Sequence, residues 1–121
     1  MYKRTVFAFF IPLLAAVMAP AAFAHGALKE ASPAAGAVLD TAPAQIRLLF
    51  NEALEAGFSK ITLTDGAGVV LATPAAKVEA DHPDSLVLVP PALAAGTWQV
   101  QWSTLTRDGH RTKGSYVFRV K

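Results

Sequence analysis

Apolar and polar residues alternate with a period of two along most of the chain, which is the pattern of half-buried β-strands. In residues 97–102, for example, Trp98, Val100 and Trp102 fall on one face and two glutamines fall on the other. The segments with this alternation are 45–50, 59–64, 97–102 and 115–120. Each segment has the length of an ordinary strand, so the pattern predicts four strands.

Shorter strands are predicted where apolar runs lie between turn-forming residues. These segments are 27–32, 38–41 and 86–89. The sequence Asp65-Gly-Ala-Gly68 predicts a tight turn within a hairpin over residues 59–73. Residues 51–57 and 91–95 have room for one helical turn each, and no segment shows a sustained helical period with caps. About seven short strands with turns between them predict an all-β sandwich or barrel.

The first 24 residues have the features of a secretory signal peptide. A positively charged start is followed by an apolar run over 6–18 and by the small-residue tripeptide Ala22-Phe23-Ala24. The alternative is a transmembrane anchor, but the apolar run is short for a bilayer span and contains proline. We therefore expect cleavage of residues 1–24, export, and a mature domain of residues 25–121 that is not embedded in the membrane.

Cleavage at this position changes the charge of the protein. The full sequence has 11 basic and 9 acidic residues, which gives a formal net charge of +2. Without Lys3 and Arg4 nine residues of each sign remain, so the mature domain is neutral and offers no basic patch for nucleic acid. Cysteine is absent, which excludes disulfides, zinc fingers and thiol chemistry and leaves packing alone to stabilise the domain.

The expected mature N-terminus, His25, is a candidate metal ligand. Its free α-amine and its imidazole together chelate one ion, and an α-amine with a pKa near ~8 gives up its proton to a metal at neutral pH. Farther along, Asp108-Gly-His110 follows directly from a predicted strand. Two side chains separated by one residue in extended backbone point to the same side. These two segments together form a candidate metal site.

The donor types in this set favour oxidised copper. Three nitrogens and a carboxylate oxygen suit tetragonal Cu(II), which has the highest affinity among the divalent first-row metals, with Zn(II) as its main competitor. The only methionines are Met1 and Met18, so the mature domain has no soft ligands for Cu(I). We expect one Cu(II) ion per chain.

Other polar residues are weaker candidates for metal ligands or are not expected to bind a metal. An isolated Asp-Gly-His sequence is usually only a turn, and it gains weight here from its combination with His25. His82 lies among acids and a proline in residues 79–84, which is typical of a solvated loop. Glu52 is either a solvated turn residue, a weak axial ligand, or an acceptor for the metal-bound amine, and Glu55 is a weaker candidate for the same roles.

The chain resembles the CopC family of periplasmic copper-binding proteins, and the resemblance covers residues 25–121. Four features in order carry it: a signal followed by His25-Gly-Ala-Leu and Ser32-Pro-Ala-Ala-Gly36; Ile46-Arg-Leu-Leu-Phe-Asn-Glu52; Trp98-Gln-Val-Gln-Trp-Ser103; and Asp108-Gly-His110 with Gly114-Ser-Tyr-Val-Phe-Arg-Val120. No single piece is decisive, whereas the combination in this order is specific.

The resemblance implies a seven-stranded Greek-key β-sandwich, cupredoxin-like in outline. It also implies Cu(II) ligands at His25, Asp108 and His110, with Glu52 at or beside the site. Some members carry a Met-rich Cu(I) loop, but the region between Leu63 and Leu86 has no methionine, so this chain is similar to the type that binds only Cu(II). The implied function is a monomeric carrier or buffer in copper uptake or resistance. An inner-membrane CopD-type importer would be its partner, as a separate polypeptide.

Two alternatives remain open at the level of sequence. An N-terminal histidine paired with a second histidine is also the copper brace of lytic polysaccharide monooxygenases, although Asp108 here stands where oxygen would need an open position. A metal-free immunoglobulin-like module is the other alternative. Oxidised products from chitin or cellulose would indicate the enzyme, and the absence of Cu(II) binding would indicate the plain module.

Overall fold

The protein is described by a computed structural model that covers Ala8 and residues 27–121. Apart from Ala8, the expected signal segment lies outside the described residues, and so does His25. The described chain forms two packed sheets of four strands each. It has no helix with the length and hydrophobicity needed to cross a bilayer.

The first sheet has the strand order β1-β3-β6-β5 and its pairs are antiparallel. Its strands are β1 (Leu28–Ser32), β3 (Ile46–Phe50), β5 (Lys77–Val78) and β6 (Ser85–Leu88). The second sheet has the order β2-β8-β7-β4. Its strands are β2 (Val38–Leu39), β4 (Lys60–Asp65), β7 (Gly96–Leu105) and β8 (Arg111–Val120). The all-β sandwich is therefore confirmed, and the described region has eight strands because the two-residue strand β5 adds to the seven that were predicted.

The alternating residues of the central strands meet between the two sheets. Ile46, Leu48 and Phe50 are fully buried on β3, and Val100 and Phe118 face them from β7 and β8. Burial of such side chains contributes about 25 cal/mol for each Å² of apolar surface removed from water, and it is the main force that holds a cysteine-free domain together. The inward faces predicted from the alternation are confirmed.

Three local expectations need correction. The turn at Asp65–Gly68 forms, but the return of the hairpin is a single bridge between Thr64 and Val70, and Val70 is 61% exposed. Residues 91–95 contain no helical turn. In residues 51–57 the expected turn appears later, as a 3-10 helix over Ala56–Phe58.

β7 and β8 form a long hairpin that reaches beyond the predicted strands. The two strands pair from Gly96 with Val120 to Leu105 with Arg111. The turn between them lies at one end of the sandwich. The end of β3 and the start of β1 lie together at one end of the first sheet, because Leu28 pairs with Phe50. The hairpin turn carries the candidate ligands described next.

Candidate metal centre

The β7–β8 turn consists of Thr106–His110 and is closed by its own main chain. The Thr106 N–H donates to the His110 carbonyl at 2.9 Å, and the Gly109 N–H donates to the Thr106 carbonyl at 2.9 Å. Gly109 has φ +92°, a left-handed conformation that glycine adopts without steric cost. The Asp-Gly sequence therefore builds a tight turn that holds Asp108 and His110 at a fixed strand end.

A buried hydroxyl links these two residues. The Thr106 side chain is 1% exposed, and its hydroxyl donates to the Asp108 carboxylate and accepts the His110 main-chain N–H at 3.0 Å. One hydroxyl can serve both groups because it has one proton and two lone pairs. Thr106 thus orients both Asp108 and His110. Sequence reasoning missed this role, because the sequence alone does not show that Thr106 is buried.

Glu52 is brought to the same place by a short pairing between the β3–β4 connection and the end of β7. Leu54 forms an antiparallel bridge with Thr106 and is 1% exposed. The Glu55 N–H donates to the Leu105 carbonyl at 2.8 Å, and the Arg107 N–H donates to the Ala53 carbonyl at 3.0 Å. The main chain just after Glu52 is therefore fixed against the turn that holds Asp108 and His110.

The side chains of Glu52, Asp108 and His110 form one cluster. Each offers a ligand atom, and these atoms lie within 4.8 Å of one another. The His110 Nδ1 is 3.0 Å from an Asp108 oxygen, and about half of each of these two side chains is exposed. A cation can therefore reach two carboxylates and one imidazole from solvent.

The electrostatics of the cluster follow from these contacts. The hydrogen bond from the Thr106 hydroxyl, followed by that from His110, holds the pKa of Asp108 well below its usual range. The hydrogen bond to Asp108 and the negative charge of that carboxylate raise the pKa of His110 above its usual value, and Glu52 adds to this effect. In the absence of a metal the imidazole therefore tends to keep its proton, and a bound cation must displace it.

The start of the described chain lies beside this cluster. The Asn51 N–H donates to the Ala27 carbonyl at 3.2 Å, so residue 27 is in direct contact with the neighbour of Glu52. His25 precedes Ala27 by two residues, and two residues span at most about 7 Å. The structure does not describe His25 itself.

The other polar candidates do not join the cluster. His82 is exposed in the β5–β6 turn, where its N–H donates to the Glu79 carbonyl at 3.3 Å. Glu55 is also exposed. Within residues 27–121, the cluster of three is the only group of histidine and acidic side chains with this spacing.

Several known proteins are similar to this chain in sequence, and others in structure. Residues 28–121 match the CopC domain family. The chain is 40% identical over 107 residues to copper resistance protein C of Escherichia coli, which covers 83% of this chain and 84% of that protein. It is 37% identical over 110 residues to protein YobA of Escherichia coli K12, with 90% of this chain and 89% of that protein covered.

A solved structure and a longer relative extend this comparison. The crystal structure of CopC from Methylosinus trichosporium OB3b superimposes with a TM-score of 0.76 and 35% identity, over 80% of this chain and 94% of that one. Copper transport protein CutJ of Bacillus subtilis is 29% identical over 99 residues, which are 81% of this chain but only 18% of that protein. The chain belongs to the CopC family, whose members are copper-binding resistance proteins and not enzymes.

Proposed function

We propose that this protein binds one Cu(II) ion as its cargo and acts as a copper carrier or buffer in the periplasm. The ligands are the amine and imidazole of His25, the carboxylate of Asp108 and the imidazole of His110, with Glu52 as a weak axial ligand or as an acceptor for the bound amine. One observation carries this proposal. The ligand atoms of Glu52, Asp108 and His110 lie within 4.8 Å of one another, and Ala27, where the described chain begins, contacts the neighbour of Glu52.

The donor set supports the oxidised ion. Nitrogen and carboxylate donors suit Cu(II), whereas Cu(I) prefers thiolate and thioether donors. The sequence contains no cysteine, and its methionines are confined to positions 1 and 18. Four donors with a fifth, weaker oxygen from Glu52 match the tetragonal geometry of Cu(II).

The proposal requires a free amine at His25. Cleavage of the signal segment after Ala24 supplies it, since an amide nitrogen at the same place would not bind the ion in this way. The position of Ala27 supports the proposal, because Ala27 contacts the main chain next to Glu52 and the two residues from His25 to Ala27 span at most about 7 Å. Export also places the protein where a copper importer in the inner membrane is accessible to it.

Delivery of copper to a membrane partner is part of the proposal. In copper transport protein CutJ of Bacillus subtilis, the region similar to this chain is a small part of a much longer protein. That protein is named for copper transport, which supports a role for this kind of domain in passing copper to a transporter. We propose that the present chain performs the same step as a monomer, with a CopD-type importer as its acceptor.

Equilibrium dialysis of the exported protein against Cu(II) tests the proposal. The wild-type protein and a His82→Ala variant should each bind one ion per chain with the same affinity, because His82 lies outside the cluster. A His110→Ala variant should lose at least about tenfold in affinity, since it removes a ligand. Equal binding by His82→Ala and His110→Ala would contradict the proposed site, and no binding by the wild type would contradict the proposed function.

A further inference from the structure

β8 is paired along its whole length on one side only. On that side β8 pairs with β7 over all of its residues. On the opposite side it pairs with β2 only at Arg119 and Val120. The Gly36 N–H donates to the Val117 carbonyl at 2.7 Å, so coverage from the β2 side begins at Val117. Among the residues that the structure describes, no strand or bridge pairs with the outer edge of β8 at Arg111, Lys113 and Ser115.

The main-chain groups that point to this open edge belong to every second residue. On the β2 side, the Arg119 N–H donates to the Ala37 carbonyl at 2.9 Å, and Val117 accepts from Gly36. Because these groups alternate in direction along a strand, the N–H and C=O groups of the preceding alternate residues point the same way. These residues are Arg111, Lys113 and Ser115. The open edge thus presents three donors and three acceptors in the spacing of a strand.

The side chains beside this edge differ between its two faces. Arg111 and Lys113 are exposed on the outer face of the sheet, and no acidic residue occupies an outward-facing position on β4, β7 or β8. On the inner face, the indole of Trp102 covers Gly114 so closely that a Cβ at that glycine would lie 2.2 Å from the ring. A strand placed here would meet cationic side chains on one face and an aromatic ring on the other.

The other long strands do not offer a comparable edge. The outer edge of β4 is covered near its end, where Thr64 pairs with Val70 and the Leu71 N–H donates to the Leu63 carbonyl at 2.8 Å. β1 is short, and its pairing shifts register between Leu28 and Glu30. Short and irregular edges are poor templates for another strand. The first half of β8 is therefore the most regular open edge in the described part of the molecule.

We propose that the open edge of β8 binds an extended, acidic segment of a partner protein, which adds a strand to the second sheet. Acidic residues at alternate positions of that segment pair with Arg111 and Lys113, and the residues between them are apolar and contact Trp102. A second copy of this chain does not suit the edge, because β8 against β8 would place cations beside cations. The added strand would lie next to the metal centre, since Arg111 directly follows His110.

The test uses a synthetic peptide as the probe. A blocked seven-residue peptide in which glutamate and valine alternate is added to the isotope-labelled protein, with the matching lysine–valine peptide as its control. We expect the acidic peptide to shift the amide signals of Arg111, Lys113 and Ser115 and to slow their hydrogen exchange, because their N–H groups become hydrogen-bonded. The lysine peptide should leave these signals unchanged.

Two matched variants separate strand addition from general charge attraction. Lys113 and Lys60 lie in the same row of the sheet, each opposite Ser103, but Lys60 is on the far strand β4. Lys113→Glu should weaken binding of the acidic peptide about tenfold, since cross-strand attraction becomes repulsion. Lys60→Glu, with the same change in net charge, should weaken it less than about twofold. At physiological salt the Debye length is about 8 Å, and salt largely screens the attraction between charges that are farther apart.

A third variant tests the main-chain contact without a change in charge. Ser115→Pro removes one N–H from the open edge and none from the β7 side, and proline is tolerated on edge strands in this orientation. With its amide spectrum otherwise retained, this variant should bind the acidic peptide less tightly than wild type. Equal effects of Lys113→Glu and Lys60→Glu, shifts confined to other strands, or no binding of the acidic peptide would each overturn the proposal.

Discussion

Replacement of Thr106 by valine tests whether a buried hydroxyl orients the metal ligands. Valine has nearly the same shape, and Thr106 is 1% exposed, so the main change is the loss of its hydrogen bonds. Loss of the bond from the His110 main-chain N–H should lower the free energy of unfolding by about 1 kcal/mol. Loss of support for Asp108 and His110 should lower the Cu(II) affinity about 10- to 100-fold, as is usual when a residue that orients a metal ligand is removed.

Thr104→Val is the matched control for this prediction. Thr104 is also 1% exposed, lies two residues earlier on β7, and shares a hydrogen bond of 2.7 Å with the Thr112 hydroxyl. This variant should lose a similar free energy of unfolding, about 1 kcal/mol, without a change in copper affinity. Urea denaturation measures the first quantity, and competition for Cu(II) with a chelator of known affinity measures the second. Retention of full affinity by Thr106→Val, or an equal loss in both variants, would refute the orienting role.

Three further predictions concern protons, packing and the N-terminus. Because the pKa of His110 is raised in the metal-free protein, Cu(II) should be released on acidification at a higher pH than expected for an ordinary exposed histidine, as a pH series of dialysis measurements would show. Gly114→Ala should destabilise the fold by about 1–3 kcal/mol in urea, since its Cβ would overlap the Trp102 ring, whereas Gly57→Ala, with no atom within 4 Å, should not. One extra residue before His25 should lower Cu(II) affinity at least about tenfold in the same dialysis, because the amine becomes an amide.

The regular strands were predictable because their apolar residues alternate. β3 and the middle of β7 were found in this way, and their inward residues form the core. The outer ends of β7 and β8 were missed because their inward positions carry polar or small residues. Thr104, Thr112 and Gly114 are the examples, and hydrophobic periodicity cannot detect them.

Very short strand pairings could not be predicted from the alternation of apolar and polar residues. β5 consists of Lys77 and Val78 alone, and two residues define no period. The return of the hairpin after Gly68 was expected to be a strand from its run of valines. Val69 and Val70 are instead about 60% exposed, and a single bridge from Val70 to Thr64 is the only ladder pairing of this segment among the described residues. Tertiary pairing decided both cases.

The metal cluster was partly predictable for a similar reason. Only Gly109 separates Asp108 from His110, so a single turn explains why they lie together. Glu52 is distant in sequence and was a weak candidate until the pairing of Leu54 with Thr106 placed it beside the turn. Thr106 had no signal of its own, because its role depends on burial and on two hydrogen bonds.

Electron paramagnetic resonance of the exported protein, loaded with one equivalent of Cu(II), tests the proposed coordination most directly. The superhyperfine splitting from ligand nitrogens reports how many nitrogens are bound to copper. This number should be three in the wild type: one amine and two imidazoles. His110→Ala should reduce this number to two, and His82→Ala should leave it at three. A spectrum that does not change in His110→Ala would contradict the proposed copper site.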